Sequence, residues 1–321
     1  MRAAVTGASG FIGSHLIDSL LERGWRVKVF RHLRPFHRPD VDVFSGQIDR
    51  VDDLQPFCQD VDLVFHLASA MGSAQLPPEE FYRVNVEGTR AILQAAKKAG
   101  VKRFIHLSSA GVLGAVPENL IADENLLPRP ITLYDQTKAK GEALALEASK
   151  EGLAVVVVRP GWVYGPRDRR TFKLFKAIKK RQFIIVGDGR GRQTPIWIGD
   201  LIDGLLLAAE KGRKGEIYHL AGKEILTVKE MVEMIAEALG VKLLPLHLPV
   251  WPTKWLALCF DKVGLWLHQE MPLNTSRLSF FLHSKPLAIT KARKELGFNP
   301  QCPFKEGLSL TIKWYIDHGW L

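Results

Sequence analysis

Cysteine is scarce in this chain: Cys58, Cys259 and Cys302 stand alone, without paired spacing or a neighbouring set of histidine ligands. That argues against a disulfide framework and a structural zinc site, leaves no metal expected, and suits a reducing compartment. Long apolar runs are lacking too. No segment reaches the roughly 18 uninterrupted apolar residues of a spanning helix. The nearest, from Val250 to Leu267, is interrupted by Lys254, Asp261 and Lys262. There is no internal repeat and no low-complexity linker. The chain opens on a short strand and a glycine turn, not on a leader pattern, so a cytoplasmic location is expected. Acidic residues are the minority charge: 44 Lys and Arg stand against 34 Asp and Glu, a net +10. A basic surplus can serve nucleic acid, an anionic membrane surface or an anionic small molecule. Apart from a cluster over residues 167–181 the cations are scattered, and no nucleic-acid-binding motif accompanies them. No nucleic-acid partner is therefore expected.

What is present is the composition of a globular protein: 321 residues, 46% hydrophobic and 24% charged, enough for one large domain or a domain with a smaller lobe. Short apolar runs at 3–6, 26–30, 41–44, 63–67, 104–107 and 154–158 read as strands, with helical patterns at 11–23, 78–99 and 131–150 between them. Runs without polar alternation suggest a parallel sheet covered on both faces. Strand–helix alternation of this kind gives an α/β, doubly wound sheet whose ligand lies beyond the strand C-termini. After Pro160 the rhythm changes. Helical patterns at 198–210 and 228–239 flank a short strand at 217–220, and a stretch rich in Trp and Leu follows over 246–271.

Two widely separated signatures carry the chemistry. The first is Thr6-Gly7-Ala8-Ser9-Gly10-Phe11-Ile12-Gly13, between a strand and a helix. Gly7 allows the tight turn, Gly10 lets a dinucleotide pyrophosphate approach the backbone, and Gly13 lets the helix pack on the sheet. The anion then rests on the helix N-terminus. Outside this flanking pattern a glycine triplet would be an ordinary strand–helix turn. The end of the second strand discriminates the dinucleotide. An acid there would bond the ribose 2′-hydroxyl of NAD, but the chain reads Phe30-Arg31-His32-Leu33-Arg34. Arg31 can pair with the 2′-phosphate of NADP, so NADP is favoured over NAD. The bland alternative is a solvated basic loop.

The second signature is Tyr134-Asp135-Gln136-Thr137-Lys138. Tyr134 and Lys138 are four apart on a helix and share one face. A phenol titrates near 10 in water, and a close ammonium stabilises the phenolate (both roughly). Lys138 is therefore expected to lower the pKa of Tyr134, and the pair to trade a proton with an alcohol or carbonyl. Ser108 and Ser109 fall just past the fifth strand, where a hydroxyl could hold a substrate oxygen.

Further motifs follow in order: Phe65-His66-Leu67-Ala68, Asn85-Val86-Glu87-Gly88-Thr89, His106-Leu107-Ser108-Ser109-Ala110 and Arg159-Pro160-Gly161-Trp162-Val163-Tyr164-Gly165-Pro166. Gly187-Asp188-Gly189, Ile198-Gly199-Asp200-Leu201 and Ala292-Arg293-Lys294-Glu295-Leu296-Gly297-Phe298 continue the series. Along most of its length the chain resembles an extended short-chain dehydrogenase/reductase of the NAD(P)-dependent epimerase/dehydratase superfamily. The resemblance implies a Rossmann-type doubly wound parallel sheet over residues 1–160, with segments returning from the C-terminal part, and a smaller α/β substrate lobe over 161–321. It implies Tyr134 as acid/base and Lys138 as the residue that holds the nicotinamide ribose. Ser109, five residues before Gly114, is the implied catalytic hydroxyl over Ser108, and Asn85 supports the site and its proton route. As simpler readings, Asn85 could cap a helix and Ser108 could bond the backbone. The implied cofactor contacts are Gly7, Ser9, Gly10, Phe11, Ile12, Gly13, Arg31, Gln47, Ile48, Leu67, Ala68, Ser69, Ser108, Tyr134, Lys138, Pro160, Gly161 and Val163. Gln47 departs from the family's usual Asp near the adenine, but it can still bond the adenine amino group. The same resemblance implies a homodimer paired through the helices at 78–99 and 131–150.

Within the superfamily several positions discriminate. Dehydratases carry Asp-Glu directly after the catalytic hydroxyl; here Ala110-Gly111 follow, which disfavours dehydration. Nucleotide-sugar epimerases place Asn where this chain has Trp162, and Arg where it has Gln193. Met71, Ser109, Trp162 and Trp197 are the candidate substrate contacts. Together with Trp251, Trp255 and Trp266, the two tryptophans suggest an apolar pocket or lid, suited to a sterol-, flavonoid- or acyl-like molecule. Equally, these rings could be the core of the smaller lobe. The pattern is closest to the 3β-hydroxysteroid dehydrogenase and dihydroflavonol reductase branch. The expected activity is interconversion of a secondary alcohol and a ketone, with a nucleotide-sugar epimerase holding NAD as the second reading. A non-catalytic NADPH sensor is the third, disfavoured because a sensor has no need of Tyr134. The stretch 246–267 could lie on a membrane surface, though packing onto the sheet is favoured.

Overall fold

The computed structural model describes residues 1–31, 38–71, 76–267 and 273–321. His32, Leu33 and Arg34, and the end of the Trp/Leu-rich stretch, lie outside the described residues. The chain first lays down β1 (Arg2–Thr6), α1 (Phe11–Glu22), β2 (Arg26–Arg31), β3 (Asp42–Ser45), α2 (Val51–Cys58) and β4 (Leu63–His66). Then come α3 (Pro78–Tyr82), α4 (Gly88–Lys98), β5 (Arg103–Leu107), α5 (Leu133–Lys150) and β6 (Val155–Pro160). The second half adds β7 (Trp162–Tyr164), α6 (Arg169–Lys179), β8 (Ile185–Val186), β9 (Arg192–Gln193), β10 (Pro195–Trp197), α7 (Ile198–Lys211) and β11 (Ile217–Leu220). It closes with β12 (Leu226–Thr227), α8 (Val228–Ala238), β13 (His247–Leu248), α9 (Val250–Leu267), α10 (Thr275–Leu282), α11 (Thr290–Leu296) and α12 (Phe304–Asp317).

Seven strands pair in parallel in the order β11-β6-β5-β4-β1-β2-β3. The order reverses between β1 and β4, which opens a crevice at their C-terminal ends. The strands read as buried β-branched and aromatic runs because helices cover both faces; Val155, Val156, Val157 and Val158 of β6 are all buried. On one face Leu16 and Leu20 of α1 pack with Leu201 and Leu205 of α7 and Leu296 of α11. On the other, Leu54 and Phe57 of α2 pack with Ile92 and Ala96 of α4 and Ala145 of α5.

Two departures from the sequence pattern matter. The helix expected over 78–99 is opened by a wide π turn at Arg83–Glu87, between α3 and α4. α2 was not anticipated, since Asp52, Asp53, Gln55 and Pro56 mask its three buried positions.

Outside the main sheet, β7 pairs with β10, β8 with β13 and β9 with β12. These strands, with α6, α8 and α12, enclose an aromatic core of Tyr164, Phe175, Phe304 and Tyr315. Contrary to the expected packing on the sheet, α9 does not lie on the main sheet; its Ala257 is buried with Leu278 of α10 and Val186 of β8. Trp251, Trp255 and Trp266 are 72%, 58% and 80% exposed. That exposure keeps them out of the lobe core and off an enclosed pocket wall; among the described side chains of α9, Thr253, Ala257 and Gly264 are the buried ones, with Val250 and Phe260 half-buried.

Candidate active site

β1 ends at Thr6 and the chain turns at Gly7 with φ +74°. A Cβ on Gly7 would lie 2.6 Å from the carbonyl carbon of Leu67, and one on Gly13 would lie 2.2 Å from the oxygen of Gly7. Only glycine permits this crossing of the β1 turn, α1 and the end of β4. Gly10 caps α1 without a side chain, and Ser9 is exposed beside it. The N–H groups of Phe11, Ile12 and Gly13 thus begin a helix at the sheet edge, and among the described residues no side-chain oxygen caps it, the geometry that receives a pyrophosphate. The residues present fit a dinucleotide, because Gly10 puts no side chain in front of the first turn of α1 and no side-chain cap occupies it. Arg31, at the end of β2, is half-buried and donates from Nε to Ser45 Oγ at 3.1 Å. Ile48 is buried against Gly88, whereas Gln47 is exposed and its N–H donates to Asp53 Oδ2 at 2.7 Å.

A buried chain of hydrogen bonds joins this turn to the rest of the site. Ala68 N–H donates to Thr6 Oγ1 at 3.2 Å, and Thr6 Oγ1 lies 2.8 Å from His66 Nδ1. His66 Nε2 lies 3.0 Å from Thr89 Oγ1, which donates to the carbonyl of Asn85 at 2.8 Å. That order of donors puts the imidazole proton on Nε2. Burial, helped by the charge of Lys138, pushes the His66 pKa down to about 3, so the ring is neutral.

Asn85, 1% exposed, stands in the π turn with its amide fully used. Its Oδ1 accepts from Ala70 N at 2.8 Å and Ser69 Oγ at 3.1 Å; its Nδ2 donates to Ala70 O and Thr137 Oγ1, both at 3.0 Å. Asn85 therefore pins the loop after β4 to α5. The extra backbone width of a π turn brings its amide to that position.

α5 starts at Thr132, whose Oγ1 accepts from Asp135 N at 3.2 Å, which places Tyr134 in the first turn and Lys138 one turn on. Tyr134 is half-buried, with the hydroxyls of Ser69 and Ser109 near its own. Burial pushes its pKa above the ordinary phenol value, opposed by the charge of Arg170 and by the two serine hydroxyls. This corrects the expectation that Lys138 lowers it. Lys138, 3% exposed, donates from Nζ to Leu107 O at 2.6 Å. Burial brings its own pKa down to about 8, partly offset by Glu142.

The two serines after β5 separate cleanly. Ser109 faces Tyr134 and also accepts from Gly111 N at 3.0 Å. Ser108 donates to Glu142 Oε2 at 2.5 Å, in a buried ion pair with Arg159. Arg170 and the Arg159–Glu142 pair are contributions the sequence reading missed. Arg170 sat unmarked inside a run of cations; exposed at the start of α6, it also donates to Met71 Sδ at 3.1 Å. Among the described residues no group of three His, Cys, Asp or Glu could hold a metal ion.

Trp162 and Trp197 pack, half-buried, against the aromatic core around Tyr164. Trp162 stacks on Tyr164 with centroids 5.7 Å apart and packs on Phe280 at 5.6 Å; Tyr164 meets Trp197 edge-on at 5.8 Å. Gln193 donates to the carbonyls of Phe280 and His283 at 3.0 and 2.9 Å, and Arg192 to those of Glu118 and Leu120. Pro160, Gly161 and Val163 run beneath, with Gly161 so close to Thr194 that a Cβ would lie 2.2 Å from its oxygen.

The model of the NAD dependent epimerase/dehydratase family matches residues 3–221. The 4-hydroxy-2-methyl-3-oxo-4-farnesyl-3,4-dihydroquinoline-1-oxide ketoreductase of Stigmatella aurantiaca is 30% identical over 317 residues, 96% of this chain and 95% of that one. The decarboxylating sterol-4-alpha-carboxylate 3-dehydrogenase of Mus musculus is 29% identical, with 97% and 90% covered. UDP-glucose 4-epimerase of Thermotoga maritima, solved with UDP-glucose, superposes with a TM-score of 0.82 at 25% identity over 99% of both chains. Other superposed structures of this fold hold NAD.

Proposed function

Because the chain belongs to the NAD dependent epimerase/dehydratase family, as an enzyme of the extended short-chain dehydrogenase/reductase type, we propose that it interconverts a secondary alcohol and a ketone on a largely apolar substrate, with NADP as its cofactor. The observation that carries this reading is that Tyr134 and Ser109 share one site, linked to the glycine turn by the buried chain Thr6–His66–Thr89–Asn85. When bound, the nicotinamide supplies or accepts the hydride. Tyr134 Oη gives a proton to the carbonyl oxygen in reduction and takes one from the hydroxyl in oxidation, while Ser109 Oγ orients that oxygen. Lys138, fixed by the Leu107 carbonyl, holds the nicotinamide ribose, and Gly7, Gly10 and Gly13 admit the pyrophosphate. Arg31 pairs with the 2′-phosphate.

The likeness to UDP-glucose 4-epimerase motivates a second reading, epimerisation of a sugar nucleotide on tightly held NAD. It is weaker, because Gln193 and Arg192 are spent on backbone carbonyls and Trp162 on Tyr164 and Phe280. The test offers the purified protein NADPH with a panel of apolar ketones and follows loss of NADPH absorbance. Ketone-dependent oxidation is expected. Protein that purifies with bound NAD, epimerises UDP-glucose and never consumes NADPH would establish the second reading instead.

A further inference from the structure

α9 is built inside out. A helix on the surface of a globular protein ordinarily turns its large apolar side chains inward. Among the described side chains the buried positions are Thr253, Ala257 and Gly264, with Val250, Phe260 and Asp261 half-buried. Trp251, Trp255, Leu258 and Trp266 point outward, Leu258 being 49% exposed. Their spacing, with Lys262 in the same row, places them on one helical face. Trp251 and Trp255 meet edge-on at 6.3 Å, so the face is a continuous aromatic strip. Just before it, Leu246 and Leu248 are also exposed.

Charge accompanies this strip. Lys254 and Lys262 are exposed. The helix has one carboxylate, Asp261, and it accepts from Thr275 Oγ1 at 2.6 Å and from Thr275 N. The outward face therefore offers aromatic and aliphatic surface with cations and no free acid. No helix among the described residues is long and apolar enough to cross a membrane, so the face can lie on a bilayer but not span it.

We propose that this face of α9 docks on the surface of an anionic lipid bilayer, with its tryptophans and leucines among the headgroups and Lys254 and Lys262 against lipid phosphates. Tryptophan suits that boundary, having an apolar ring and a polar N–H, and lysine stems reach outward to the phosphates. A second copy of the chain fits the face poorly, because a two-fold contact would bring lysines against lysines. α9 rests on α10, whose Phe280 packs on Trp162, so the docked face lies one helix away from the wall of the candidate substrate site. An apolar substrate dissolved in the bilayer would be presented on that side.

Flotation of the full chain with vesicles tests this. Wild type should rise with vesicles of phosphatidylglycerol and phosphatidylcholine and stay behind with phosphatidylcholine alone. The variant carrying Trp251→Ser, Trp255→Ser and Trp266→Ser, confirmed as folded by its circular dichroism and thermal melt, should partition at least about tenfold less. Lys254→Glu with Lys262→Glu, which leaves the tryptophans in place, should also lose the anionic vesicles. The proposal is overturned if wild type ignores anionic vesicles or if the tryptophan variant floats as wild type does. It is equally overturned if sedimentation finds a dimer that the tryptophan substitutions disperse while no vesicle is bound, since the face would then belong to a second copy.

Discussion

Lys138 Nζ donates to the carbonyl oxygen of Leu107, the last residue of β5, at 2.6 Å, which fastens its charge to the sheet edge and away from a direct bond with Tyr134. Burial lowers its pKa from 10.5 to about 8. The unfolded chain therefore binds more protons than the folded one between those values, and stability rises with pH across that window. Relative to Lys138→Met, wild type should gain up to about 1.4 kcal/mol per pH unit as pH rises from 8 towards 10. Urea unfolding of both proteins at several pH values measures the difference. An unchanged difference would mean that Lys138 is not held in its buried, desolvated position.

Tyr134 and Arg170 make a second pair to separate. Tyr134→Phe should reduce turnover about 100-fold or more while cofactor still binds. Arg170→Met removes the cation that opposes the upward shift of the Tyr134 pKa, so the phenolate becomes scarcer at a given pH. Alcohol oxidation at neutral pH should fall and its pH profile should move to higher pH. A profile that stays in place would detach Arg170 from the proton transfer.

Arg31 should govern the choice of dinucleotide. Arg31→Asp replaces a partner for a 2′-phosphate with one for a 2′-hydroxyl, and should weaken NADPH binding by about 10- to 100-fold relative to NADH. Fluorescence titration of both cofactors reads the ratio. Equal losses for the two would assign Arg31 to the local structure it forms with Ser45.

Glu142 and Arg159 are 4% and 2% exposed and joined by a short, two-point ion pair. Glu142→Gln would leave Arg159 buried without its counter-charge and should cost about 3–5 kcal/mol. Denaturant unfolding checks this. Replacing both residues with apolar ones of similar volume should be far less harmful, because no isolated charge remains.

The sheet and the glycine turn were legible because their causes are local. Buried β-branched runs mark the strands, and Gly7 and Gly13 are needed where backbones cross. What the residues could not declare was set by distant partners. The π turn exists around Asn85, whose amide meets a loop and a helix well apart in sequence. Arg170 reaches Tyr134 from a run of cations in which no member is distinguished by type. The tryptophans of α9 were visible as composition, but which way they face depends on the small residues opposite them. Ser109 was preferable to Ser108 by motif, and the geometry supplies a reason, since Ser108 is occupied by Glu142.

The wide turn at Arg83–Glu87 carries one more implication. A π turn holds one residue more than a regular helix needs, so it behaves as an insertion kept in place. Deleting Val84 would let α3 and α4 fuse into a single straight rod and would rotate every earlier side chain around its axis. The rod would be the more regular helix, but Asn85 would no longer stand opposite both Ala70 and Thr137. At this one position, helical regularity has given way to the aim of a single amide group.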